Sequence, residues 1–100
     1  MSVDDPSNYK QAHAHIKYLL THGSVQFVDH ADERVEKRGW ESTDVLHIIR
    51  YGKIILHTLA GQFWRYTIEG QTVDAQRGKC VVEVRDHLIV ITMMMYPKRR

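Results

Sequence analysis

One hundred residues, 43% of them hydrophobic and 26% charged, describe one globular domain with a single modest core and exclude wholesale disorder. The net charge is +2, but Lys98, Arg99 and Arg100 supply three positive charges, so the rest is slightly acidic and announces no general polyanion-binding surface. A lone cysteine, Cys80, rules out an internal disulfide, and the strongly apolar run at residues 88–95 is too short to span a bilayer. With an acidic, polar start that does not read as a secretory signal, the expectation is a cytoplasmic protein with no membrane contact. Residues 1–7 and 97–100 are expected to be flexible ends of a single domain spanning 1–100.

The first predicted element is a helix over residues 8–22. Ser7 caps it, Gly23 ends it, and Ala12, Ile16, Leu19 and Leu20 form its apolar stripe. Residues 24–28 form a short extended piece.

A second, short helix follows over residues 29–39, with Asp29 as N-cap and Gly39 as the C′ residue. It sets His30, Arg34 and Arg38 along one stripe, at about 0°, 40° and 80° around the axis. Ala31 and Val35 lie beside that stripe, while Asp32, Glu33, Glu36 and Lys37 fill the opposite arc. Like charges four residues apart cost a few tenths of a kcal/mol, and cations bordering an apolar seam must be paired or solvated. Such a stripe calls for something opposite it. The structural alternative is that Arg34 and Arg38 pair with Asp29, Asp44 or Glu83, with His30 merely capping or packing.

A third helix begins at a Ser42 or Thr43 cap, carries Val45, Leu46, Ile48 and Ile49, and stops at Gly52. Strands are predicted from there on. Residues 53–58 are β-branched and apolar, and Ala60, Gly61 and Gln62 make a turn. Residues 63–68 alternate, with Trp64, Tyr66 and Ile68 on one face and Phe63, Arg65 and Thr67 on the other. Gly70 is expected to break this strand, leaving residues 72–75 as a weaker segment. Arg77 and Gly78 turn into a strand over 79–84 that directs Cys80, Val82 and Val84 one way. A tight connection at 85–87 leads to a last strand at 88–96, apolar on both faces as a central strand is. Helices first and a largely antiparallel meander after them predict an α+β domain, the helices packed on one face of three to five strands.

The pattern His-Ala-x-x-Arg-x-x-x-Arg-Gly at residues 30–39 resembles a bacterial domain-of-unknown-function family. So do the capped helix after it, Gly-x-Ile-Ile at 52–55, the Arg65-Tyr66 strand and the apolar last strand. That family is similar to the MqsR and RelE group of ribonuclease toxins, and the likeness covers about residues 9–96. Val35 stands where the family usually has methionine, and Trp40 where it has a small aliphatic residue.

The resemblance implies a RelE/MqsR-like fold and a ribonuclease toxin. Its partners would be RNA and a cognate antitoxin protein, and homodimer formation is a further expectation. The signature positions are His30, Arg34, Arg38 and Gly39, with Arg65 and Tyr66 from the strand.

Metal-free RNA cleavage needs a base for the 2′-hydroxyl, cations for the phosphate and an acid for the leaving oxygen. His30 suits the proton transfers, and Arg34, Arg38 and Arg65 suit the phosphate. Tyr66 would stack on a base or donate a proton, and Lys98 and Arg99 would contact backbone phosphates. If Arg65 faced the helices, three guanidiniums would converge. No cofactor is implied, and the seven histidines show no metal-ligand spacing. The alternative function is a non-catalytic binding domain that keeps the fold.

Overall fold

The computed structural model describes residues 5–28 and 42–96. The predicted helix over 29–39, with His30, Arg34 and Arg38, therefore lies outside the described residues, as do Lys98 and Arg99.

Helix α1 spans Tyr9–His22 and helix α2 spans Ser42–Tyr51. The strands are β1 (Val25–Phe27), β2 (Lys53–Ala60), β3 (Phe63–Gln71), β4 (Arg77–Val84) and β5 (Leu88–Met95). They form one five-stranded sheet in the order β1-β5-β4-β3-β2. The pairs β2–β3, β3–β4 and β4–β5 are antiparallel, whereas β1 runs parallel to β5 with Val25 opposite Leu88 and Phe27 opposite Val90. The α+β architecture is as predicted, and the short extended piece before residue 29 is the parallel edge strand.

The cap of α1 differs from expectation by one residue. Asn8, not Ser7, occupies the N-cap, and its side chain accepts from the Gln11 N–H at 3.1 Å. Ser7 instead donates from both N–H and hydroxyl to Asp5 Oδ1, at 2.9 and 2.7 Å. Residues 5–7 are thus tied down at the start of α1. The Pro6 carbonyl adds to this by accepting the Tyr66 hydroxyl at 3.2 Å.

The core lies between the two helices and one sheet face. Ala12, Ile16 and Leu19 of α1 and Val45, Ile48 and Ile49 of α2 pack on Ile54, Tyr66, Ile68, Cys80, Val82, Leu88, Val90 and Met93. The strand residues on this list follow the period-2 alternation that places successive side chains on opposite faces. β5, flanked on both sides, buries Leu88, Ile89 and Val90 in succession. Its pairing with β4 shifts register between Val81 and Val82, so the alternation resumes with Met93 and Met95 facing the helices.

Two expectations for β3 and its exit fail. Gly70 does not break the strand but pairs with Gly78 inside it, and the ladder runs to Gln71. The glycine is there for close approach: a Cβ on Gly70 would stand 2.9 Å from the Gly52 Cα at the junction of α2 and β2. Residues 72–76 are a closed turn and not a weak strand. Thr72 N–H donates to the Gln76 carbonyl at 2.8 Å and Ala75 N–H to the Thr72 carbonyl at 2.9 Å, with Ala75 at φ 64°.

Candidate functional site

On the sheet face away from α1 and α2, the alternation of β3 and β4 brings Arg65 directly opposite Glu83. Arg65 Nε donates to Glu83 Oε1 at 2.9 Å. Arg85, two residues beyond Glu83 and on the same side, donates from Nε to Oε2 at 2.6 Å, and its Nη2 also lies 2.6 Å from that oxygen. The Glu83 residue is only 2% exposed, while the side chains of Arg65 and Arg85 are 35% and 41% exposed. The guanidinium carbon of Arg85 stands 4.3 Å from the centroid of the Phe63 ring, whose face orients the cation.

The electrostatics of this trio are unequal. Burial pushes the Glu83 carboxyl up, but the hydrogen bonds from Arg65 and Arg85 and their charges outweigh it and hold the group below the ordinary glutamate value. One ionised carboxylate is matched by two guanidiniums, so the cluster is net cationic by one charge. Each guanidinium has five N–H donors in a planar fork, and Glu83 uses only some of them. Both side chains are partly exposed, Arg65 by 35% and Arg85 by 41%. Such a pair grips a phosphate or carboxylate by bidentate hydrogen bonds.

The turn from β4 to β5 stands at the same end of the sheet. Arg85 N–H donates to the His87 carbonyl at 3.0 Å, closing a three-residue connection. His87 Nδ1 lies 2.6 Å from Asp86 Oδ1. The Asp86 carboxyl is held below its usual value by the hydrogen bond and charge of His87.

At the opposite end of this face, Glu69 receives Arg77 Nη2 at 2.7 Å and the Tyr96 hydroxyl at 2.6 Å, while Lys79 Nζ stands 6.0 Å from the Tyr96 ring centroid. This cluster also sets two cations, Arg77 and Lys79, about one carboxylate, but on more open side chains: Arg77 is 60% and Glu69 28% exposed. Among the described residues, no group of three or more histidine, cysteine or carboxylate side chains is placed to hold a metal ion.

Arg65 and Tyr66, both expected at the site, are divided between the two faces of β3. Arg65 does not face α1 and α2, so the condition for joining the helical stripe from that side is not met. Its relation to His30, Arg34 and Arg38 lies outside the described residues, as do Lys98 and Arg99. Tyr66 is 1% exposed and sits in the core. Its ring packs at 6.5 Å from Tyr9 and 6.4 Å from His57, and its hydroxyl is spent on Pro6, so it offers no face for base stacking.

Sequence reasoning did not place Arg85, Phe63, Asp86 and His87 at the site, and it read Glu83 only as a partner for the helical arginines. The signal available was parity: Arg65 and Phe63 share a face of β3, and Glu83 shares one with Arg85. Register alone decides that these two rows meet.

No helix among the described residues is long and apolar enough to cross a membrane. No curated protein and no solved structure matches the chain. Residues 27–95 match the model of the domain of unknown function DUF4258, and the chain belongs to that family.

Proposed function

We propose that this chain is a RelE/MqsR-like endoribonuclease, the toxin of a toxin–antitoxin pair acting in the cytoplasm, which cleaves RNA by acid–base chemistry without a metal. The observation that carries this reading is the cationic pair Arg65–Arg85, held by a buried Glu83 on the sheet face that α1 and α2 leave uncovered. A phosphodiester is the anion that such a fork fits in a substrate of repeating charge. The motif residues His30, Arg34 and Arg38 support it from sequence, as a titratable group and two further cations of the kind this chemistry needs.

The test is expression in a bacterial host together with cleavage of RNA by the purified chain. Wild-type protein is expected to arrest growth and cut RNA, and His30→Ala and Arg34→Ala to relieve both while melting at the wild-type temperature. If wild-type protein neither arrests growth nor cuts RNA, the nuclease reading falls.

The second reading is a non-catalytic binding domain. It is favoured by the engagement of both Glu83 oxygens, which would make the two arginines a brace between β3 and β4. Under it, no variant at Arg65 or Arg85 alters RNA turnover.

A further inference from the structure

The β4–β5 turn holds an arrangement that neither the sequence motif nor the proposed function assigns. An ionised carboxylate only accepts hydrogen bonds, so the 2.6 Å contact of His87 Nδ1 with Asp86 Oδ1 calls for a proton on Nδ1, although the Asp86 side chain is itself 92% exposed. The basic nitrogen left over is Nε2. The His87 side chain is 29% exposed, so solvent and a ligand reach it. Arg85, whose N–H closes this turn on the His87 carbonyl, is also one of the two cations on Glu83. The turn that carries His87 and the net-cationic cluster on Glu83 are therefore joined through a single residue, Arg85.

We propose that His87 is the acid–base catalytic residue for RNA cleavage at this face, that Arg65 and Arg85 hold the scissile phosphate, and that Asp86 and Glu83 are positioning residues. This rests on the ribonuclease reading above but moves the proton transfers from His30 to His87, so here, unlike under the motif-based assignment, His30→Ala keeps its cleavage activity. His87 Nε2 takes the proton of the ribose 2′-hydroxyl as the 2′-oxygen bonds to phosphorus. The bond from phosphorus to the 5′-oxygen breaks, and Nε2 returns its proton to that departing oxygen. The products are a 2′,3′-cyclic phosphate and a 5′-hydroxyl, with no proton gained or lost by the enzyme. The guanidiniums offset the charge that builds on the non-bridging oxygens.

The experiment compares wild-type chain with His87→Gln, Asp86→Asn, Arg85→Ala and His30→Ala on two probes. One is a single-stranded RNA oligonucleotide, followed by its cleavage products. The other is its uncleavable 2′-O-methyl counterpart, followed by fluorescence anisotropy across a salt series.

His87→Gln is expected to slow cleavage by about 10²- to 10⁴-fold, the usual contribution of a proton-transfer group, while binding the uncleavable probe as wild type does. Asp86→Asn should lower kcat with KM unchanged. Arg85→Ala should weaken the uncleavable probe and reduce the salt slope by about 0.7, one phosphate contact on a single strand.

Cleavage by His87→Gln at the wild-type rate overturns this proposal and leaves the ribonuclease reading standing, above all if His30→Ala is inactive. Loss of probe binding in His87→Gln equal to its loss of cleavage also overturns it, by making His87 a binding residue. A wild-type chain that binds the probe but cuts no RNA overturns the ribonuclease reading, and this proposal with it.

Discussion

Arg65 and Glu83 face each other directly across β3 and β4, with Nε 2.9 Å from Oε1, and the carboxylate of the pair is nearly free of solvent while the guanidinium is not. The asymmetry matters because Glu83 keeps a second cation, Arg85, on its other oxygen. Either arginine alone can neutralise it.

Removal of the arginines should therefore be non-additive. Arg65→Ala or Arg85→Ala singly is expected to cost about 1–2 kcal/mol, since one charge-assisted hydrogen-bonding partner remains. The double variant strands a buried carboxylate and is expected to cost about 3–5 kcal/mol. Urea unfolding of the four proteins in a double-mutant cycle measures the coupling, and additive losses would mean that Glu83 does not share its charge between the two.

Acid should weaken the fold through the same residue. The Glu83 carboxyl is depressed in the folded chain relative to its ordinary value of 4.5, so its stabilisation is fully present above that value. It is lost as pH falls through the lower folded value, where the native carboxylate takes up its proton. Glu83→Gln removes this contribution. Its melting temperature should fall less steeply below pH 4.5 than that of wild type, and parallel curves would contradict the assignment.

The thiol of Cys80 should be inert in the native state. Cys80 is 1% exposed, and burial pushes its pKa up to about 12, so almost no thiolate exists near neutral pH. A chromogenic disulfide reagent should label it at the rate of unfolding, and quickly only in denaturant. Prompt labelling of folded protein would show that β4 opens locally.

Gly52→Ala should be among the most damaging single-methyl changes in the chain. The added Cβ would meet the Ile48 carbonyl oxygen, the Glu69 carbonyl oxygen at 2.6 Å and the Ile68 Cγ2 at 2.8 Å, and two of these three are backbone atoms that cannot swing aside. A loss of about 1–3 kcal/mol or more follows from overpacking of this kind. Gly61→Ala, whose Cβ would meet nothing within 4 Å, is the control for crowding. Its smaller loss comes from a left-handed backbone at φ 64° and not from contact.

Much of the fold was legible because its signals are local. The stripe Ala12–Ile16–Leu19 repeats at the helical period, and Tyr66 and Ile68 alternate with Arg65 and Thr67 at the period of a strand. Each pattern follows from backbone geometry that a few consecutive residues impose on themselves. The termini were less legible. Asn8 displaced Ser7 as the cap because Asp5 already held the serine, and Gly70 stayed in β3 because α2 needed a surface without side chains there.

The sequence by itself determined the two described helices and the courses of β2 to β5 apart from their ends, which of their faces are apolar, and that Arg65 and Tyr66 point opposite ways. Only the tertiary structure decided that β1 runs parallel to β5, that Arg65 turns away from α1 and α2, and that Glu83 unites it with Arg85. The physical reason is that strand register and the choice of covered face are set by contacts between distant segments. A shift of one residue in that register would exchange every partner while leaving each strand's own pattern unchanged.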